Sequence, residues 1–196
     1  MHFNTQFRKL NMTTFTENWR PEILEDNILK IVPLVESDFD RLFEIAADPL
    51  IWEQHPTKDR YKKEVFQLYF DGAINGKTAF LIIDKSTDKI IGSTRYYDYK
   101  QESSSIAIGY TFLSRQYWGG LYNKSSKMLL IDYAFQFVDK IYFHIGATNI
   151  RSQLAIIKIG ASKIGEVDFD YYGKKLLHFE YLISRNEWKI RRTTNR

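Results

Sequence analysis

A stretch of strand composition, SIAIGYTFL (105–113), leads to an adjacent glycine pair, Gly119-Gly120. An apolar period at helical spacing follows, from about Asn123 to Asp139. No other feature restricts the fold as much. Met128, Ile131, Ala134, Phe135 and Val138 recur as one face of a helix. A strand and a helix are therefore joined by a turn in which the backbone bends sharply or something approaches it closely. Taken alone, the pair reads first as a plain tight turn. A glycine turn at a helix N-terminus also offers unpaired N–H groups and the positive end of the dipole, a natural seat for phosphate. The pattern is neither GxGxxG nor a loop with Lys and Ser/Thr at fixed offsets.

The rest of the chain supplies more strands and helices. NILKIVPLV (27–35) has strand composition. Ser37-Asp38 starts a helix, with Phe39, Leu42, Phe43 and Ala46 at helical spacing, and Asp48-Pro49 ends it. IWEQHPTKDR (51–60) is loop-like, and Lys62 to Ile74 is a second helix closed by Asn75-Gly76. TAFLIID (78–84) and KIIGSTRYYDY (89–99) flank a polar turn. KIYFHIGAT (140–148) is a strand, and NIRSQLAIIKIG (149–160) a helix with apolar Leu154, Ala155, Ile157 and Ile159, stopped by Gly160. Residues 166–184 read as two strands about Gly173-Lys174. The order β-α-α-β-β-β-α-β-α-β-β predicts an α/β (α+β) domain, a sheet with helices on both faces. Residues 1–27 read as an N-terminal extension around Trp19 and Pro21, 28–184 as the domain, and 185–196 as a basic C-terminal tail. Lys189, Arg191, Arg192 and Arg196 make that tail read as a solvated end, with a weak anion preference, for phosphates or acidic partners, as the sharper reading.

Composition excludes several functions. There is no cysteine, so disulfides, zinc thiolates and thiol catalysis are ruled out. Four histidines without HExxH or paired spacing argue against a metal enzyme. No apolar run approaches the roughly 20 residues of a membrane span, and the N-terminus has no apolar core of a secretory signal. A soluble, cytoplasmic protein is expected. The net charge of +4 is interspersed with acids, so nucleic-acid binding is not the expected function.

Three segments in order, IGYTFLSRQYWGGLYN (108–123), AFQFVDKIYFHIGATN (134–149) and NIRSQLAIIKIGA (149–161), resemble the GNAT superfamily of acyl-CoA N-acyltransferases. Within it the chain is most similar to the Rim-type branch of ribosomal-protein N-terminal acetyltransferases. The resemblance spans about residues 28–184. It implies a mixed, mostly antiparallel sheet with a central splayed pair of parallel strands, one ending at Leu113 and one starting near Ile141. It also implies acetyl-CoA as acyl donor, with no metal. The family's Q/R-x-x-G-x-G/A loop, which wraps the CoA pyrophosphate, falls on Gln116, Tyr117, Trp118, Gly119, Gly120 and Leu121. Leu121 departs from Gly/Ala, so either its side chain points away from the ligand or the site is altered. Tyr122 and Asn123, with Lys124 and Ser125, extend the loop into the first helical turn. Backbone groups of Thr111, Phe112 and Leu113 are expected to hold the acyl-pantetheine arm, one amide polarising the thioester carbonyl. Asn149 matches the Asn that contacts pantetheine, and reads equally well as a helix N-cap.

The implied reaction is direct attack by a primary amine on the acetyl thioester in a ternary complex. A protein or peptide N-terminus and a small amine both remain open as acceptor. The Tyr that serves many relatives as acid is Ile156 here, while NIRS places Ser152 at the Rim-type acid position. Ser152 also reads as a first-turn helix serine bonding backbone. The Glu that often precedes Ile-Gly-Tyr is Ala107. His144 and His55 are therefore candidate bases, with Glu53 and Asp98 as comparable ones. Tyr96 and Tyr97 either line the acceptor side or pack. These departures leave open a non-catalytic acyl-CoA binder or sensor. A nucleotide or RNA domain using the glycine loop would prefer ATP or RNA to CoA. No membrane or nucleic-acid partner is expected, and monomer and homodimer are both open.

Overall fold

The computed structural model describes residues 19–171 and 173–194. The expectation for residues 1–18 lies outside the described residues. The strands are β1 (Leu24–Glu25), β2 (Leu29–Pro33), β3 (Ala79–Asp84), β4 (Lys89–Lys100), β5 (Ser105–Leu113), β6 (Lys140–Gly146), β7 (Ser162–Tyr171) and β8 (Lys174–Ser184). The helices are α1 (Phe39–Ala46), α2 (Lys63–Gly76), α3 (Leu121–Ala134), α4 (Ile150–Lys158) and α5 (Arg185–Thr194). One sheet runs in the order β1-β2-β3-β4-β5-β6-β8-β7, and only β5 and β6 pair in parallel. No described helix is long and apolar enough to cross a membrane.

Period-two alternation along β3 shows how the sheet is covered. Phe80 and Ile82 join a core cluster with Leu130, Ile131 and Ala134 of α3. Ala79, Leu81 and Ile83 join the other cluster, with Leu42 of α1 and Phe66 and Phe70 of α2. Each face thus buries one set of alternate residues under its own helices, as a sheet in a two-sided layer must.

The alternation breaks in β5. Ile106 and Ile108 belong to the α3 cluster, but Phe112, four residues on, belongs to the α1–α2 cluster. Between them β5 gains a residue on β4, where Arg95 pairs with Gly109 and Ser93 with Phe112. This is a β-bulge, which reverses the facing of all that follows it. Tyr110 sits in it at φ +52, a left-handed conformation unusual for a bulky residue. Two contacts hold it there. Tyr69 Oη donates to the Tyr110 carbonyl at 2.7 Å, and the Arg95 guanidinium stacks 3.4 Å from its ring centroid.

The parallel pair is short. Ser105, Ile106 and Ala107 pair with Lys140, Ile141 and Tyr142. Beyond them β6 continues only with β8, and β5 only with β4. The two strands therefore diverge, leaving an unpaired edge on each side of a V.

Two expectations need adjusting. The apolar set of α4 forms its buried face only in part: Ile159 is buried, together with Gln153 and Ile156, whereas Leu154 and Ile157 are about half exposed. The cap at Asn149 sets the helix rotation. It turns Gln153 inward, where its Nε2 donates to the carbonyls of Gly146 and Ala147. Residues 185–194 are not a free tail but form α5. Trp188 is buried there and its Nε1 donates to Asp132 Oδ1 at 2.6 Å, so one aromatic anchors an otherwise polar helix against α3.

Candidate active site

The V between β5 and β6 opens into a cavity of about 140 Å³. Thr111, Asn123, Lys127, Asn149, Ser152 and Ile156 line it from β5, α3 and α4. His55, Arg60, Tyr97 and His144 line it from the first loop and the sheet. Among the described residues, no Asp or Glu contributes to its wall.

The glycine turn lies outside the cavity wall, which takes in α3 from Asn123 onward. Gly119 is at φ +70, where a side chain is strained, so it supplies the bend. Gly120 is the N-cap of α3 with φ −102 and open space around its Cα. The N–H groups of residues 119–123 find no acceptor among the described residues. They lie at the positive end of a fourteen-residue helix, the arrangement that suits a phosphate. Leu121 is 63% exposed, so its side chain leaves those N–H groups uncovered. The loop is fixed from below. Tyr117 and Tyr122 pack edge to face, and both hydroxyls donate to Asp84, at 3.4 and 3.2 Å. Burial works to raise the Asp84 pKa, but hydrogen bonds from Ser86, Thr87 and Tyr122 outweigh it and hold the carboxyl below its ordinary range. Ser125 Oγ ties the first turn of α3 to Asp26. Trp118 is held by Nε1 donating to the Leu113 carbonyl at 2.9 Å and by Arg151, whose guanidinium lies 3.7 Å over its ring.

The start of α4 forms the next wall. Asn149 Oδ1 accepts from the Ser152 N–H at 3.2 Å, the N-cap bond. Asn149 Nδ2 and the Ser152 hydroxyl make no hydrogen bond to a described residue, and both residues line the cavity. Asn149 thus caps the helix and still presents a donor. Arg151 bonds Glu53 and the Ile51 carbonyl, both at 3.2 Å, and its N–H donates to Gln54 Oε1 at 3.1 Å. The loop after α1 is thereby laced to α4.

The histidine candidates separate. His55 Nδ1 already accepts from the Thr57 N–H at 2.9 Å, and Arg60 lies 3.0 Å from Nε2. Burial first, and that cation second, push its pKa well below the ordinary value. Such an imidazole has little capacity to take a proton. His144 differs: Nε2 is 3.5 Å from Glu180, and Nδ1 is 2.8 Å from Tyr97 Oη. A ring N–H facing Glu180 leaves Nδ1 to accept from Tyr97, a residue that lines the cavity. Burial lowers the His144 pKa, and Glu180 works against that. Glu53 and Asp98 do not line the cavity and are paired with Arg151 and Lys100. Tyr96 is core, its hydroxyl donating to the Leu130 carbonyl at 2.6 Å. Phe112 and Leu113 are buried at the root of the loop, and Thr111 lines the cavity.

Sequence reasoning missed Lys127 and Glu180. The signal for Lys127 was its spacing: 127, 130, 131 and 134 share one helical face, and all four are buried. Lys127 Nζ donates to Thr111 Oγ1 at 2.6 Å, and burial holds its pKa down to about 7. Among the described residues no cluster of three His, Asp or Glu is arranged to hold a metal.

A diverging parallel pair, a bulge beside it and a donor-lined turn at a helix start define a mixed α/β fold with a cleft at its centre. The chain belongs to the GNAT acetyltransferase family: the family profile described as "Acetyltransferase (GNAT) domain" matches residues 29–162. Solved structures share the fold. The acetyltransferase (GNAT family) from Bacillus anthracis is 17% identical with a TM-score of 0.70, the match covering 84% of this chain and 99% of that one. A GCN5-related N-acetyltransferase from Brucella melitensis is 18% identical at TM-score 0.72, covering 87% and 83%. Mycobacterium smegmatis RimJ, solved in complex with CoA-disulfide, is 14% identical at TM-score 0.67, covering 87% and 90%.

Proposed function

We propose that the protein is an acetyl-CoA-dependent N-acetyltransferase acting on a primary amine. The observation that carries this reading is the unpaired edge of β5 leading into the acceptor-free N–H groups of residues 119–123. The turn fits a pyrophosphate and the V fits an extended arm with backbone amides to pair. RimJ, with its CoA-disulfide complex, shares the fold and supports a CoA ligand here.

Bound acetyl-CoA supplies an acyl group already activated as a thioester. Thr111, Phe112 and Leu113 hold the arm, and Asn149 Nδ2 adds a donor. Ser152 donates toward the departing sulfur. The amine must lose a proton to react. Tyr97 Oη receives it while passing its own proton to His144 Nδ1, and Glu180 steadies the imidazole. Branch, acceptor and acyl length belong to this proposal.

The test is thiol release from acetyl-CoA against a panel of peptides and small amines, paired with calorimetric CoA binding. Turnover on some acceptor supports the reading. Ile156 and Ala107, where many relatives carry Tyr and Glu, favour a second reading, a non-catalytic acyl-CoA binder. Tight binding with no turnover on any acceptor would favour that one. Absence of CoA binding would overturn both.

A further inference from the structure

Lys127 has no part in the scheme above, yet the cleft is built around it. It sits in the second turn of α3, 4% exposed, with Nζ directed to the bulged edge of β5 at Thr111. Thr111 Oγ1 is itself 2.8 Å from Thr94 Oγ1, so a neutral hydroxyl pair is what the amine meets. A buried ammonium needs an anion, and among the described residues no carboxylate lines this cavity. The site therefore favours the uncharged amine, and burial alone brings its pKa to about 7. Exposed lysines, at about 10.4, keep only about one amine in 2,500 neutral at pH 7. Lys127 shares its cavity with Asn149 and Ser152, the residues assigned to the thioester arm. A neutral amine held beside a thioester gains a large effective concentration over one in solution.

We propose that Lys127 is a self-acylation site, taking the acetyl group from bound acetyl-CoA with no acceptor present. The proposal rests on the acyl-CoA reading given above. The nitrogen lone pair forms a bond to the thioester carbonyl carbon. The C–S bond breaks and its electron pair leaves on sulfur. The proton lost from nitrogen goes to that sulfur. One acetyl-CoA yields one Nε-acetyl-lysine and one free CoA thiol. An amide does not pass its acyl group on, so the mark persists in the cleft and slows further turnover. Self-acylation is thus a brake responsive to acetyl-CoA exposure without acceptor.

The experiment uses the full chain, folded, with acetyl-CoA alone, followed by peptide mass spectrometry and paired with CoA binding by calorimetry. Lys127 is expected to be labelled about tenfold or more faster than any exposed lysine. Its rate should follow the neutral fraction, rising through about pH 7 and levelling above it, while exposed lysines keep rising toward pH 10. Lys127→Arg should remove the fast label while the protein still binds CoA. Lys127 labelled no faster than exposed lysines, in protein shown to bind CoA, overturns the proposal and leaves the acyl-CoA reading standing. No CoA binding overturns that reading, and this proposal with it.

Discussion

At the scale of single residues, the two adjacent glycines have different jobs. Gly119 is held at φ +70, so Gly119→Val strains the backbone and lowers the melting temperature, whatever it does to ligand. Gly120 has an ordinary φ and free space, so Gly120→Val tests the ligand alone. CoA affinity should fall about tenfold or more, about 1.4 kcal/mol, with the melting temperature nearly unchanged; an unaltered Kd in the folded variant would remove the turn from the binding site. His144 gives a pH prediction. Burial lowers its pKa, so the imidazole is already neutral at pH 7. As a base it should make kcat rise through the acid range and flatten before neutrality. His144→Gln should cost about 10²–10⁴ in kcat and erase that limb. Ser152→Ala should lower kcat while the CoA Kd stays put, and wild-type turnover would return Ser152 to helix capping alone. Asn149 and Ser152 could be found from sequence because a cap has a local signature. Lys127 was hidden because a lysine that follows the polar run Asn123-Lys124-Ser125-Ser126 reads as surface, although its spacing from Leu130 and Ile131 places it inward.

At the scale of elements, the core strands and α1 to α4 were legible, because period-two and period-3.6 patterns belong to the segments that bury them. What escaped was set by partners distant in sequence. The bulge in β5 leaves no local mark: SIAIGYTFL alternates as an ordinary strand, and only pairing with β4 shows the extra residue. The rotation of α4 follows from its cap and from Gln153 reaching back to β6, which outweigh Leu154 and Ile157. α5 reads as basic and polar, and its order depends on one tryptophan meeting Asp132. Trp188→Ala should therefore destabilise the protein by about 3–5 kcal/mol in denaturant unfolding. A cost under about 1 kcal/mol would mean that α5 is held by its surface ion pairs instead.

At the scale of the whole molecule, Lys127 sets a pH dependence of stability. Its folded pKa of about 7 lies below the ordinary 10.5 that it regains on unfolding. Between those values the unfolded chain binds the extra proton, so this group makes stability rise with pH from about 7 toward 10. Lys127→Met should therefore stabilise the protein at pH 7 by up to about 4 kcal/mol. The gain should shrink as the pH is raised, read from denaturant melts at a series of pH values. A variant less stable at neutral pH would show that the Thr111 hydrogen bond outweighs the burial penalty. A core that retains such a residue gives up stability at a place where chemistry is expected.

The lacing of Arg151 to Trp118 on one side, and to Glu53, Gln54 and Ile51 on the other, also has a kinetic consequence. One residue spans from the glycine turn to the loop at residues 51–54. A ligand that immobilises the turn also steadies residues 51–54. CoA alone should slow amide hydrogen exchange in that loop, and Arg151→Ala should uncouple the two. Steady-state kinetics should then be compulsory-order, with the nucleotide thioester first on and the free thiol last off.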